Sequence, residues 1–179
     1  ALGLSFPSPD SAQCRCPVIH TGMPLRHELL AGKMEKAAAM EEINRRWNVD
    51  FKADAPTLLV FGGSLGASSI NRTSRISKTL PGGETIQLIH LAGVGKLEEL
   101  ERYYEGSGGR KLLLESSPDM HLFYSAADMI ICRAGGSTVT ELAYFGKYAI
   151  VVPYPYAAEN HQMDNAMWLA SSGGARIVK

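Results

Sequence analysis

The stretch Ile130-Ile131-Cys132-Arg133-Ala134-Gly135-Gly136-Ser137-Thr138-Val139-Thr140-Glu141 constrains this chain more than any other. An apolar strand runs into two glycines and two hydroxyl residues, and a helix then carries a carboxylate on its first turns. Glycine lets the backbone turn sharply and lets a ligand come close. The first N–H groups of a helix have no partner inside it and carry positive partial charge. Such a strand-to-helix turn is a cradle for phosphate, and it places Arg133, Gly136 and Ser137 among the candidate contacts. Glu141 stands where a carboxylate accepts hydrogen bonds from a ribose diol.

A second unit of the same kind lies upstream. The β-rich run Thr57-Leu58-Leu59-Val60-Phe61 leads into Gly62-Gly63-Ser64-Leu65-Gly66-Ala67, and Ser68 to Leu80 reads as a helix. One glycine-rich turn is a weak signal, because glycine is often a purely geometric need there. Two in one small domain say more, because a diphosphate needs several donors converging on it. Gly63, Ser64 and Gly66 are the candidates from this turn.

The rest of the chain alternates between strand and helix patterns. Strands are expected at Pro17–Thr21, Glu84–His90, Lys111–Glu115, Asp128–Cys132, Tyr148–Val152 and Ala175–Val178. Helices are expected at Met34–Trp47, Val94–Glu105, Met120–Ala126, Ser137–Phe145 and Asn160–Ser171, with Pro81-Gly82-Gly83 as a turn and Gly146 as a helix stop. Repeated βα units predict an α/β fold, a Rossmann-like parallel sheet with helices on both faces. Ligands of such sheets bind beyond the carboxyl ends of the strands. Those ends carry Gly62–Gly66, the loop after His90, Ser116–Asp119, Arg133–Ser137 and the segment after Pro153, so a single ligand site on that edge is expected.

Composition narrows the function. At 179 residues, with 45% hydrophobic and 20% charged, the chain has the size and make-up of one soluble domain. A formal net charge of zero gives no broad attraction for nucleic acid or an anionic membrane. No apolar run approaches the roughly 20 residues of a membrane helix, and the first residues lack the pattern of a secretory leader. A cytoplasmic protein, or one on the cytoplasmic side of a membrane, fits best. Cys14 and Cys16 are too close for an ordinary disulfide and have no second ligand pair nearby, and Cys132 reads as a small buried residue.

Other polar residues on the same edge leave two readings open. Gln162 and Asn165 are three apart on one helix and share a face, so their amides either read sugar hydroxyls or belong to a solvated helix start. His161 is a base or a solvated surface histidine, and His90 a structural residue or a ligand contact. Arg26, after Gly22-Met23-Pro24, is a charge-assisted phosphate donor or a surface arginine.

Four motifs in one order carry a family resemblance: Thr21-Gly22-Met23-Pro24-Leu25-Arg26, Phe61-Gly62-Gly63-Ser64-Leu65-Gly66-Ala67, Cys132-Arg133-Ala134-Gly135-Gly136-Ser137-Thr138-Val139-Thr140-Glu141 and His161-Gln162-Met163-Asp164-Asn165-Ala166. From about Val18 onward the chain resembles the C-terminal, nucleotide-sugar half of the MurG family. These are bacterial transferases of N-acetylglucosamine from UDP-N-acetylglucosamine to a lipid-linked muramoyl-pentapeptide, with the two-domain GT-B fold. Residues 1–17 are then a linker or truncated edge, and 18–179 the UDP-sugar-binding domain, with the N-terminal acceptor domain outside this chain.

The resemblance implies roles residue by residue. Glu141 would hold the ribose hydroxyls. Ser64 with the backbone of Gly63 to Gly66 would face the diphosphate, with Arg26 nearby, and the helix starting at Ser137 would add donors. The loop Glu115–Asp119, with Ser117, would take the uracil edge. Gln162 and Asn165 would contact the sugar, with Ala158 to His161 shaping that pocket. The chain has Leu65 where the family usually has Gln, and Met23 where it often has Asn.

The implied reaction is inverting displacement at the anomeric carbon by the 4-hydroxyl of lipid I, giving lipid II. No Asp-x-Asp pair suited to a divalent metal stands near the phosphate turns, so no cofactor and no metal are expected. No catalytic residue is assigned to this chain, because the general base is expected on the other half. The expected location is peripheral, at the inner face of the cytoplasmic membrane. The runner-up is the soluble subunit of a dolichol-linked N-acetylglucosaminyltransferase. A nucleotide-sugar sensor without catalysis is a reading of another class. A nicotinamide-dependent dehydrogenase would want Gly-x-Gly-x-x-Gly after the first strand, which Gly62-Gly63-Ser64-Leu65-Gly66 does not provide.

Overall fold

Every residue of Thr57–Phe61 is buried, as a central strand of a parallel sheet covered on both faces must be. In the computed structural model, which describes residues 1–6, 9–63, 67–73, 85–157 and 161–178, the chain runs in order through β1 (Leu2–Leu4), β2 (Val18–His20), α1 (His27–Ala31), α2 (Lys36–Trp47), β3 (Thr57–Phe61), α3 (Ser68–Thr73), β4 (Gln87–Leu91), α4 (Leu97–Tyr104), β5 (Lys111–Leu114), α5 (Met120–Ala126), β6 (Met129–Cys132), α6 (Gly136–Phe145), β7 (Ala149–Val151), α7 (His161–Ser171) and β8 (Ala175–Ile177).

Strands β3 to β8 form one six-stranded sheet in the order β5-β4-β3-β6-β7-β8. All neighbours are parallel. Counted from β3, this is the doubly wound order 3-2-1-4-5-6, which reverses direction between β3 and β6. Alternation along β3 sends Leu59 and Phe61 to one face and Leu58 and Val60 to the other. The first face packs Leu29, Met40, Ile43, Phe123, Leu142 and Leu169, from α1, α2, α5, α6 and α7. The second packs Ile70 of α3 with Leu100 and Tyr104 of α4. The α/β fold with helices on both faces is thus as the sequence implies.

Element ends follow local chemistry. After α6 the chain passes through Gly146 at φ 65°, a left-handed position that a side chain resists, and the Lys147 N–H closes back on the Leu142 carbonyl. Two features differ from the sequence reading. Helix α1 carries too few residues for a periodic signal. Residues 1–17 hold β1, which pairs in parallel with β2 in the register Leu2↔Val18, and Phe6, whose ring meets Trp168 of α7 edge-on at 5.1 Å. A Ser- and Pro-rich composition hides a strand this short. The expected end of the helix at Leu80 and the turn Pro81-Gly82-Gly83 lie outside the described residues. Among the described residues no helix is long and apolar enough to cross a membrane.

Candidate nucleotide-sugar site

A cavity of about 410 Å³ opens at the switch point, over the carboxyl ends of β3, β4 and β5 and beside the start of α6. Phe61, Leu91 and Met120 give it an apolar floor. Glu115, Ser116 and Ser117 form one wall, Ser137, Thr138 and Glu141 of α6 another, and Pro24 and Arg26 close it from the segment before α1. Five of the contacts expected from sequence, Arg26, Gly63, Ser117, Ser137 and Glu141, therefore border one opening.

The first turn is tight on one side and open on the other. A Cβ on Gly62 would stand 2.3 Å from the Ala67 nitrogen, so the returning backbone requires glycine there. Gly63 has φ +88°, borders the cavity, and would meet nothing within 4 Å. Ser64 and Gly66, the other expected contacts, lie outside the described residues.

At the second turn, Gly135 precedes α6 in extended conformation and brings no capping side chain, leaving the first N–H groups of the helix to a ligand or water. Ser137 borders the cavity. Gly136 does not; a Cβ there would lie 2.9 Å from Cε of Met23, the end of a flexible side chain that can give way.

Glu141 is the electrostatic centre. It is 8% exposed, Oε2 accepts a hydrogen bond of 2.7 Å from the Tyr124 hydroxyl, and Oε1 lies 3.9 Å from Nη2 of Arg26. Burial raises its carboxyl above the ordinary range, opposed by the Tyr124 bond and the Arg26 charge. Burial, then the charge of Glu141, pushes the Tyr124 hydroxyl well up, so it stays a donor. Cys132, also buried, is held as the thiol. Arg26, with its side chain 55% exposed, spans Glu141 and the cavity mouth.

The opposite wall is braced from behind. Oε1 of Glu115 accepts the Gly95 N–H at 2.7 Å, Oγ of Ser117 accepts the Asp119 N–H at 3.0 Å, and Asp119 is tied to Arg46 at 2.7 Å. The serine side chain thus shapes the loop, while the loop edge borders the cavity.

Other expected contacts prove to be engaged elsewhere. Arg133 donates from Nη1 to the carbonyls of Val152 and Pro153 at 2.9 and 3.0 Å and from Nη2 to Oγ of Ser69 at 2.8 Å, and its guanidinium covers the Tyr154 ring at 5.4 Å. It ties the start of α3 to the loop after β7 and does not border the cavity. Asn165 is 8% exposed and donates to the Ala134 carbonyl at 3.1 Å. Gln162 accepts the Tyr154 N–H at 2.9 Å. Both amides hold the neighbouring turns, and with the exposed His161 they stand outside the cavity lining. His90 takes the structural alternative: it is fully buried, with Nδ1 at 3.2 Å from the Tyr104 hydroxyl and Nε2 at 3.1 Å from Oδ1 of Asn71.

The residue that sequence reasoning passed over is Tyr124. The signal was partial: a tyrosine buried in a short, largely apolar helix needs a partner, but nothing along the chain names which one. Among the described residues no group of three His, Cys, Asp or Glu side chains is placed to hold a metal.

A doubly wound sheet with an open cleft at its switch point defines a Rossmann-like α/β domain of the kind found in GT-B glycosyltransferases. Residues 57–179 match the glycosyltransferase family 28 C-terminal domain, and the chain belongs to that family. It is 37% identical to the UDP-N-acetylglucosamine--N-acetylmuramyl-(pentapeptide) pyrophosphoryl-undecaprenol N-acetylglucosamine transferase of Thermodesulfovibrio yellowstonii, over 99% of this chain and 47% of that protein. The same-named protein of Desulfotalea psychrophila is 40% identical, over 96% of this chain and 44% of that one. The crystal structure of Acinetobacter baumannii MurG aligns with 90% of this chain and 46% of its own, at TM-score 0.67 and 32% identity. The resemblance to MurG therefore holds. SnogD of Streptomyces nogalater, at 16% identity and TM-score 0.52, shares the fold alone. The chain spans less than half the length of these curated relatives.

Proposed function

We propose that this chain is the donor-binding domain of an inverting glycosyltransferase that moves N-acetylglucosamine from UDP-N-acetylglucosamine to lipid I, forming lipid II in peptidoglycan synthesis. The observation that carries the reading is Glu141: a nearly buried carboxylate with one oxygen committed to Tyr124 and the other directed past Arg26 to a cavity bordered by a helix start. A ribose diol supplies the two O–H donors such a group accepts. The apolar floor of Phe61, Leu91 and Met120 suits a planar base. The unfilled donors of α6 and the Arg26 guanidinium suit a diphosphate.

Those groups also do chemical work. Breaking the anomeric bond builds negative charge on the departing UDP, and fixed dipoles and a cation aimed at that charge lower the barrier. This reading uses no metal and no cofactor. The acceptor and the general base belong to the domain outside this chain. The whole protein would act peripherally at the inner face of the cytoplasmic membrane, with no nucleic-acid partner. Gln162 and Asn165 would meet the sugar only after the turns they hold give them up, or through those turns' backbone.

Equilibrium dialysis tests the reading. Retention of UDP-N-acetylglucosamine and UDP, with none of NAD, is expected. The chain alone should give no transfer to a lipid I analogue, and detectable transfer would refute the assignment of the base to the missing domain.

A further inference from the structure

Tyr124 belongs to no expected contact set, yet it is fully buried beside the cavity. Its ring is clamped, stacked on Phe145 at 5.1 Å between centroids and edge-on to Phe61 at 6.0 Å. A clamped ring fixes where its hydroxyl falls, and it falls 2.7 Å from Oε2 of Glu141. The two oxygens of a glutamate are otherwise interchangeable, because the terminal torsion is soft. The hydroxyl removes that symmetry and leaves Oε1 toward Arg26 and the cavity.

We propose that Tyr124 is a positioning residue for nucleotide binding, holding the Glu141 carboxylate as a fixed double acceptor for the ribose hydroxyls of the ligand. The inference rests on the donor-binding reading above. A phenol has one proton to give, and here it goes to the carboxylate. Were Glu141 protonated, its own O–H would compete for the place of a ligand O–H, and the match to a diol would fail. Among the described residues, the titratable or charged groups acting on Glu141 are Tyr124 from α5, Arg26 from the segment before α1 and Cys132 at the end of β6. Only the first two favour its charged form, and Arg26 is solvent-exposed and farther away. Removing the hydroxyl should therefore move the Glu141 titration to higher pH.

The test compares the wild-type chain with Tyr124→Phe, which keeps the ring between Phe61 and Phe145. Carbon-detected NMR of the Glu141 side-chain carboxyl gives its titration directly, without ligand. Calorimetry with UDP and 2′-deoxy-UDP gives the functional effect. The expected result is a titration midpoint shifted upward, a loss of UDP affinity at neutral pH of about three- to tenfold, and a smaller preference for UDP over 2′-deoxy-UDP. A merely structural tyrosine would lower thermal stability and leave the midpoint and the preference unchanged, and that outcome overturns the proposal. If Tyr124→Phe does not fold, 3-fluorotyrosine placed at position 124 keeps the ring and strengthens the donor. The midpoint should then fall, and an unmoved midpoint again overturns the proposal. A shifted midpoint in a folded chain that binds neither nucleotide would instead overturn the donor-binding reading, and the ribose role with it.

Discussion

Glu141 and His90 sit near the carboxyl ends of strands in one sheet, each is nearly or fully buried, and each has a tyrosine hydroxyl as a partner. The likeness ends there. His90 lies on the α3–α4 side, and both ring nitrogens are taken, by Tyr104 and Asn71, while Asn71 also donates to the Ala92 carbonyl at 3.0 Å. Glu141 lies on the other side, with one oxygen taken and the other beside a cavity and an exposed cation. A buried polar group whose bonding capacity is filled by the protein holds the fold together. One left half-filled at an opening is prepared for a ligand. Burial alone does not separate the two cases.

The largest effect that could break this contrast is on stability. His90→Ala removes a packed ring and one hydrogen-bond partner from each of Asn71 and Tyr104, which should cost about 2–4 kcal/mol in urea unfolding. UDP affinity should stay within about twofold, since such deletions act on folding and not on the far face. A large loss of UDP binding without unfolding would place His90 in the site after all.

The two groups should also carry opposite pH dependence. Burial pushes His90 down from 6.5 to about 4. Between those values the unfolded chain binds a proton that the folded chain does not, so stability should fall as pH drops from about 6.5 toward 4, by up to about 3 kcal/mol. Glu141 is shifted upward, so above the ordinary carboxylate range its contribution to stability falls as pH rises. UDP binding runs the other way, weakening as pH drops and Glu141 takes up a proton. Urea unfolding and UDP titration over one pH series check both slopes, and His90→Gln should flatten the first while sparing the second.

Smaller effects sharpen the boundary of the site. Arg26→Ala should weaken UDP about three- to tenfold, with the difference shrinking at high salt, as expected for one exposed charge-assisted contact. Arg133→Lys should change UDP affinity still less, because the fork it loses ties Val152, Pro153 and Ser69 together and does not face the cavity. A loss larger than that of Arg26→Ala would reverse their assignments.

Much of this was legible in the residues. The strand Thr57–Phe61 and the helix Met120–Ala126 match their expected bounds, because all-apolar β-rich runs and short apolar helices between turn signals leave little choice. Glu141 was legible from its distance to a glycine pair. Its partner Tyr124 was not, because their contact joins α5 to α6 and depends on how two helices lie on the sheet. For the same reason, helical spacing put Gln162 and Asn165 on one face and could not show that Tyr154 and Ala134 come up to meet them. Composition likewise concealed β1, whose pairing with β2 is a long-range fact.

The measurement that bears most directly on the account is calorimetric titration of this chain with UDP-N-acetylglucosamine, UDP and NAD, beside Glu141→Ala. The account predicts that both UDP ligands bind the wild type, that NAD does not, and that the variant stays folded while losing at least about tenfold in UDP affinity, as expected for a hydrogen bond to a charged group. A folded wild type that binds no UDP ligand, or a variant that binds UDP as tightly as the wild type, would contradict it.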